Sequence, residues 1–468
     1  MLRWPLALAL SLAALSGCLT NDAVCGRAAD CPDGATCRNG RCVADSVDTA
    51  TPDTTTPDTA TPDTADTSAA IDTTAPDTTP PPCHQAGAVR YCNASCDDLE
   101  IPIERCMNST WSACACATTS RYHVATGGSA KHAGFAGTPG GALYACYRIG
   151  DALAVAYQFD PTPPNNWDVQ FAADADADDC DLAAGFGEQI HLVYGVGALA
   201  DGPRDLVYRG LLDNALGDPV HPGAPGDADD GREPKVAVAK SGAAFILAGG
   251  RLAGGQHVLR AFEQTGLATW TDGVVAVLPT PSDDQALALC DDGVPLALYA
   301  SGVGSARWTA RVAARTGGAW DTALLDDSSQ LVGIGAALTC AGGAAYGVFQ
   351  DFYNARLVEA WSDTPATLAS WQTAPVPTGA DPILWFDDLR VHGDTLWVAA
   401  GTETGDVLLG ARPTDGATPW RFHRLAISDA GGGGALTGDV RLWLDPLGRP
   451  HVLYFGAHDG GPWIATLE

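Results

Sequence analysis

Gly293-Val-Pro-Leu-Ala-Leu-Tyr299 places a turn glycine just before a short run of strand-forming side chains, and the chain repeats that figure along most of its length. It recurs as Gly150 with LAVAY, Gly187 with IHLVY, Gly242 with AFILA, Gly343 with AYGVF, Gly393 with TLWVA and Gly448 with PHVLY. In chain order the glycines are separated by 37, 55, 51, 50, 50 and 55 residues. Glycine takes the positive φ of a tight hairpin turn without steric cost, and branched and aromatic side chains fit a pleated, buried surface, so each unit reads as strands joined by hairpins. A second marker keeps the same register: Trp270, Trp320, Trp371 and Trp420 follow their glycines by 27 or 28 residues.

A period near fifty, several short strands per unit and little helical pattern predict an all-β chain that forms a seven-bladed β-propeller over residues 118–468. A six-bladed ring, with residues 118–180 forming something else, is the alternative that the short first interval leaves open. The last unit stops one strand short after PWIATLE, and SRYHVA (residues 120–125) has the pattern of the missing strand. It is expected to pair within residues 440–468 and so close the ring. The tryptophans are expected to fill the gaps between blades.

Lys and Arg number 26 against 56 Asp and Glu, a formal charge of −30, and the only lysines are Lys131, Lys235 and Lys240. This excludes nucleic acid as a partner, because holding a polyanion requires cations to neutralise its phosphates. Fifteen cysteines point to an oxidising compartment. Cys25, Cys31, Cys37 and Cys42 fall in residues 18–43, and Cys83, Cys92, Cys96, Cys106, Cys114 and Cys116 in residues 83–117. Segments this short enclose little core, so both are expected to be disulfide-stapled modules, with a connectivity that spacing does not choose. The spacing of the first four does not form paired CxxC knuckles, which argues against zinc. Residues 44–82 between them are a Thr/Pro/Asp-rich, disordered stalk with eight aspartates and no basic residue. Extended, it reaches on the order of 100 Å. No apolar segment beyond residue 17 is long enough to span a membrane.

Leu15-Ser16-Gly17-Cys18, after Arg3 and the apolar run Leu6 to Ala14, resembles the lipobox of bacterial lipoproteins. The resemblance implies a signal peptide over residues 1–17, a mature chain that begins at a lipidated Cys18, and a membrane partner reached through that lipid. Leu19 and Thr20 lack the aspartate that in some lipoproteins signals inner-membrane retention, which implies an outer-membrane or cell-surface site. The four-cysteine segment is similar to EGF-like or Dickkopf N-terminal-like modules, which implies pairing of alternate cysteines. The repeats resemble the sialidase-like, BNR-type propeller in a degenerate form. EQTGLATW, RTGGAW, LASW and TDGATPW keep the tryptophan of that family's Ser-x-Asp-x-Gly-x-Thr-Trp box and have largely lost its serine and aspartate.

Tyr147-Arg148-Ile149-Gly150 invites comparison with the Tyr-Arg-Ile-Pro motif of sialidases, whose arginine grips a carboxylate. Gly150 and the strand that follows it place Arg148 at a hairpin turn, however, and no catalytic set is assigned. Asp174, Asp176 and Asp178, and again Asp227 and Asp229, set oxygen donors at alternate positions, the pattern of a calcium loop; solvated acidic loops are the other reading. Melting in EGTA and in millimolar calcium separates the two. The histidines show no ligand spacing, and His191 and His451 sit within apolar strands. Cys290 and Cys340 occupy equivalent places in adjacent repeats, and Cys146 with Cys180 is the other candidate pair. The expectation is a monomeric surface lipoprotein that binds a glycan or protein ligand without enzymatic action and with no cofactor beyond calcium. A degenerate sialidase-like glycoside hydrolase and a structural spacer of the envelope are the alternatives.

Overall fold

The computed structural model describes residues 35–38, 41–44 and 83–467, except 93, 97–99, 126–128, 159–166, 198–202, 224–228, 283, 303–306, 329–330, 379–382, 417, 427–438 and 457–460. The chain divides into two compact units, Met1–Thr78 and Thr79–Glu468. In the first, Ala35–Arg38 pairs antiparallel with Arg41–Ala44, and Cys37 stands opposite Cys42. Cys18, Cys25, Cys31 and the stalk lie outside the described residues. The second unit is all β, and no helix among the described residues is long and apolar enough to cross a membrane.

Seven four-stranded antiparallel sheets follow one another as hairpin meanders. Their first and last strands are Ser129–Gly137 and Trp167–Ala175, Ala177–Ala184 and Ala215–Leu216, Arg232–Val238 and Thr269–Leu278, Gln285–Leu289 and Ala319–Asp326, Val332–Ala341 and Gln372–Val376, and Ile383–His392 and Arg421–Ala426. The seventh sheet contributes only Arg441–Leu444, Pro450–Phe455 and Pro462–Leu467; Thr119–His123 adds the fourth strand, with His123 opposite Trp463 and Thr119 opposite Leu467. The strand expected to complete the last sheet therefore does so. The first strands of successive sheets pack against one another in order, and Arg441–Leu444 packs back on Ser129–Gly137.

Between the first and second strands of these sheets stand Gly141, Gly187, Gly242, Gly293, Gly343, Gly393 and Gly448, all at positive φ. At Gly293 the N–H donates to the Cys290 carbonyl (2.8 Å) and the Cys290 N–H to the Val294 carbonyl (3.1 Å); turns of the same form begin at Thr138, Ala239 and Asp445. This set corrects the sequence register in one place. Gly150 turns between the second and third strands of the first sheet, and Gly141 is the counterpart of the other six. LYACY and LAVAY both follow a positive-φ glycine, so nothing local tells the two turns apart. Counted from Gly141, the first interval is 46 residues, and Trp167, at the start of the outermost strand, falls 26 residues on and joins the tryptophan series. Residues 129–175 form a four-stranded sheet with the same strand order as the others.

Sheets that meet along their first strands diverge toward their fourth, and the outer gap has to be filled at interior density. Trp270 meets Tyr208 of the second sheet edge-on at 5.0 Å between centroids, and Trp320 lies 6.3 Å from Phe245 of the third. Trp371 packs on the cluster that holds Leu296 and Leu298 of the fourth sheet, Trp420 on Leu357 of the fifth, and Trp167 on Leu453 and Phe455 of the seventh. Two interfaces are filled differently. Between the first and second sheets, where the outer strand Ala215–Leu216 is very short, Tyr144 and Tyr157 stack at 6.2 Å and the Cys146–Cys180 disulfide crosses. Between the sixth and seventh sits the six-cysteine segment.

That segment forms a small sheet of Val89–Tyr91, Ile101–Met107, Thr110–Trp111 and Ala115–Ala117, stapled by Cys83–Cys106, Cys92–Cys114 and Cys96–Cys116. Its own interior is little more than Cys83, Ala88, Cys106 and Trp111. Val89, Tyr91, Ile101 and Ile103 instead share a core with Trp397, Leu409 and Leu425 of the sixth sheet and Leu442, Val452 and Leu467 of the seventh. Tyr91 meets Trp397 edge-on at 6.3 Å, and the Val89 N–H donates to the Leu447 carbonyl at 2.7 Å. A segment that reads as a separate module thus buries its apolar face in the interface of two sheets. Ile103→Ala is expected to cost about 2–5 kcal/mol. The loss should appear as a lower denaturant midpoint of the single transition reported by tryptophan fluorescence; an independent module would leave the main transition where it is.

Candidate functional site

The first strand of each sheet pairs on one side only, which leaves a row of backbone donors and acceptors facing the place where the seven strands meet. Side chains of neighbouring sheets satisfy several of them. Asp181 Oδ2 accepts from the Val236 N–H (2.9 Å), Asp388 Oδ2 from Leu442 (3.0 Å) and Asp439 Oδ2 from Ala133 (3.1 Å). In the other direction, Gln285 Nε2 donates to the carbonyls of Arg232 (3.1 Å) and Glu233 (2.7 Å), Arg390 Nε to Leu442 (3.2 Å) and Arg441 Nε to Ala133 (2.5 Å).

These strands enclose a cavity of about 300 Å³, to which all seven contribute. Its charged and amide lining comprises Asp181, Lys235, Gln285, Asp388, Arg390 and Arg441. Arg390 grips Asp388 with both amino groups, at 3.0 and 3.1 Å, and Arg441 Nη2 lies 2.9 Å from Asp439. Burial pushes the Asp388 carboxyl above the usual range; Arg390, Arg441 and the Leu442 N–H pull it back, and the charge of Asp181 raises it further. Two lining groups stand apart. Lys235 makes no ion pair among the described residues, and the buried Gln285 Oε1 has no hydrogen-bond partner.

The acidic loops lie elsewhere and are differently occupied. Asp176 is exposed at the turn between the first and second sheets; the side chains of Asp174, Asp178 and Asp227 lie outside the described residues. Asp229, expected to face calcium, is buried against guanidinium groups: Arg232 Nε lies 3.2 Å from Oδ1 and Arg251 Nε 3.5 Å from Oδ2. Two arginines thus balance the charge of this carboxylate. Asp179 pairs with Arg204, and Asp230 accepts from the Leu206 N–H at 2.9 Å. Among the described residues, the grouping Cys96, Glu100 and Cys116 has metal-ligand spacing, but its two sulfurs form a disulfide.

Arg148 is at the hairpin, as expected, donating from Nε to the Gly150 carbonyl (2.6 Å) and from Nη2 to Asp151 (3.1 Å). Both candidate inter-repeat disulfides form, Cys146–Cys180 and Cys290–Cys340, with Cα atoms 6.3 and 5.1 Å apart. His191 shares a 2.8 Å hydrogen bond with the Tyr208 hydroxyl, and His451 one of 3.0 Å with Thr466 Oγ1, which makes both packed histidines of the core. The axial polar groups were not singled out in the sequence. Gln285 stands in an otherwise apolar strand, QALAL, and that was the one available signal; the strands of Asp181, Lys235 and Asp388 carry other charged residues, so nothing local sets those three apart.

No known protein family matches the sequence, and no curated protein matches it. Among solved structures the chain is similar to a Hadza microbial sialidase, at 12% identity and TM-score 0.47, over 79% of this chain and 74% of that one. It is similar to an Aleuria aurantia lectin mutant in complex with Fucα1-6GlcNAc, at 12% identity and TM-score 0.45, over 66% and 100%. It is also similar to Penicillium chrysogenum α-L-arabinanase complexed with arabinobiose, at 11% identity and TM-score 0.44, over 75% and 98%.

With Asp229 held by arginines, melting is expected to be the same in EGTA and in millimolar calcium. A pH effect is expected at His191, which burial pushes down to about 4. The unfolded chain takes up this proton near the ordinary histidine value and the folded chain refuses it until about 4, so stability falls as pH drops through that window. The loss is on the order of 3 kcal/mol once the pH has fallen to the folded-state value. Denaturant midpoints from pH 7 to pH 4 should therefore fall more steeply for the wild type than for His191→Gln.

Proposed function

We propose that this chain is a surface lipoprotein, tethered by lipid on Cys18 and held off the membrane by residues 44–82, that displays a seven-bladed β-propeller and binds a glycan or protein ligand without turnover. Seven four-stranded sheets, the packing of the seventh on the first and the strand Thr119–His123 support the blade number. Five disulfides among the described residues support folding in an oxidising compartment.

The state of the charged groups around the axial cavity carries the non-enzymatic reading. Asp388 is held by Arg390 and Leu442, Arg441 by Asp439 and Ala133, and Asp181 holds Val236. A catalytic acid or base has to exchange protons with substrate, whereas these groups hold neighbouring sheets together. Lys235 and the Gln285 carbonyl are offered to a ligand instead, and a cavity of about 300 Å³ weighs against a pure spacer. One observation favours a hydrolase: Asp388, whose carboxyl burial pushes up, lines the same cavity as Asp181, and glycoside hydrolysis uses a pair of carboxyl groups.

A soluble full chain carrying Cys18→Ser, tested on a glycan array and on fluorogenic glycosides, separates these readings. Binding without cleavage is expected, weakened about tenfold or more by Lys235→Ala at unchanged melting temperature. Cleavage that Asp388→Asn abolishes would establish the hydrolase reading instead. In cells, labelled palmitate should enter the wild type and not Cys18→Ser.

A further inference from the structure

Away from the axis, a second cavity of about 290 Å³ opens between the third and fourth sheets, on the side of the turns at Gly242 and Gly293. Glu263, in the third strand His257–Gly266 of one sheet, and Arg315, in the third strand Trp308–Thr316 of the next, meet across it with Arg315 Nη1 2.7 Å from Glu263 Oε2. Phe245, Leu289 and Pro295 supply apolar walls, and Ser241 stands at the rim. Lys240 and Asp291, 2.9 Å apart, bridge the two neighbouring turns.

The same third-strand to third-strand pairing occurs two sheets further on, and there it is sealed. Arg412 Nη2 lies 3.0 Å from Glu359 Oε2, the guanidinium sits 5.2 Å from the centre of the Trp420 ring, and Trp420 Nε1 donates to the same carboxylate oxygen at 2.6 Å. Arg412 is buried, at 5% exposure. Between the third and fourth sheets the corresponding tryptophan, Trp320, packs on Phe245, and the side chains of Arg315 and Glu263, which line the cavity, remain 29% and 43% exposed. One pair closes its interface, and the other is left open with a hollow in front of it.

We infer that the Glu263–Arg315 cavity is a binding site for a neutral sugar, distinct from the axial cavity. A guanidinium and a carboxylate side by side present donors and an acceptor at the spacing of two adjacent hydroxyls, while their charges cancel and select against ionic ligands. The apolar walls suit the C–H face of a pyranose, and the volume is at the small end of ligand pockets, which fits one or two residues of a glycan rather than a long chain.

The test is saturation-transfer NMR of the full chain with the methyl glycosides of glucose, galactose, mannose, fucose and N-acetylglucosamine, with methyl glucuronide as the anionic control. At least one neutral glycoside should bind, at least tenfold more weakly to Glu263→Ala and to Arg315→Ala. Should either alanine variant melt below wild type, Ser241→Trp decides, since it fills the cavity mouth and leaves the ion pair in place; it should abolish the signal. Absence of binding by every neutral glycoside, preference for the glucuronide, or binding that survives Ser241→Trp overturns the assignment. Binding undiminished by Glu263→Ala or by Arg315→Ala would also overturn it and would leave the axial cavity as the place of the sugar.

Discussion

Sheets that touch along one edge and diverge outward leave wedge-shaped gaps, and most of this molecule is a set of answers to that problem. The gaps must be filled, because a void forfeits dispersion contacts on one side and exposes apolar walls. Trp167, Trp270, Trp320, Trp371 and Trp420 fill five of them, each from the beginning of an outermost strand or just before it. A stacked tyrosine pair with a disulfide fills the sixth, and the cysteine-rich segment fills the seventh with Tyr91, Ile101 and Ile103. Between the third and fourth sheets Trp320 packs on Phe245, and a cavity remains beside the Glu263–Arg315 pair.

At the inner end the problem is reversed: the strands crowd, and their unpaired edges have to find partners. Asp181, Gln285, Asp388, Arg390, Asp439 and Arg441 reach across to the next sheet and provide them. The charges that make the axial cavity look chemically able are therefore mostly committed to holding sheets in register. Buried groups of this kind keep their geometry because loss of either partner strands the other in a medium that solvates it poorly. Under the proposed reading, binding falls to the few groups that this network leaves over.

The places where sequence and structure part company share one cause. Gly150 and Gly141 both start an alternating run after a positive-φ turn, and only pairing to the outer strand Trp167–Ala175 shows which turn is which. Asp229 sits in an acidic loop that has the look of a cation site, yet Arg232 and Arg251 reach it from two strands. The six-cysteine segment carries its own staples and still depends on the sixth and seventh sheets for a core.

By itself the sequence determined the all-β repeat, the turns, the strand that completes the last sheet and the tryptophan fillers. These follow from local causes: which residues tolerate positive φ, which alternate with the pleat, and how far apart they recur. Tertiary structure alone decided the pairings within the six-cysteine segment, the partner of that segment, the arginines around Asp229 and the difference between a sealed and an open Glu–Arg pair. Each of those depends on a distance between residues far apart in the chain, and the fold, through the packing of its sheets, is what sets those distances.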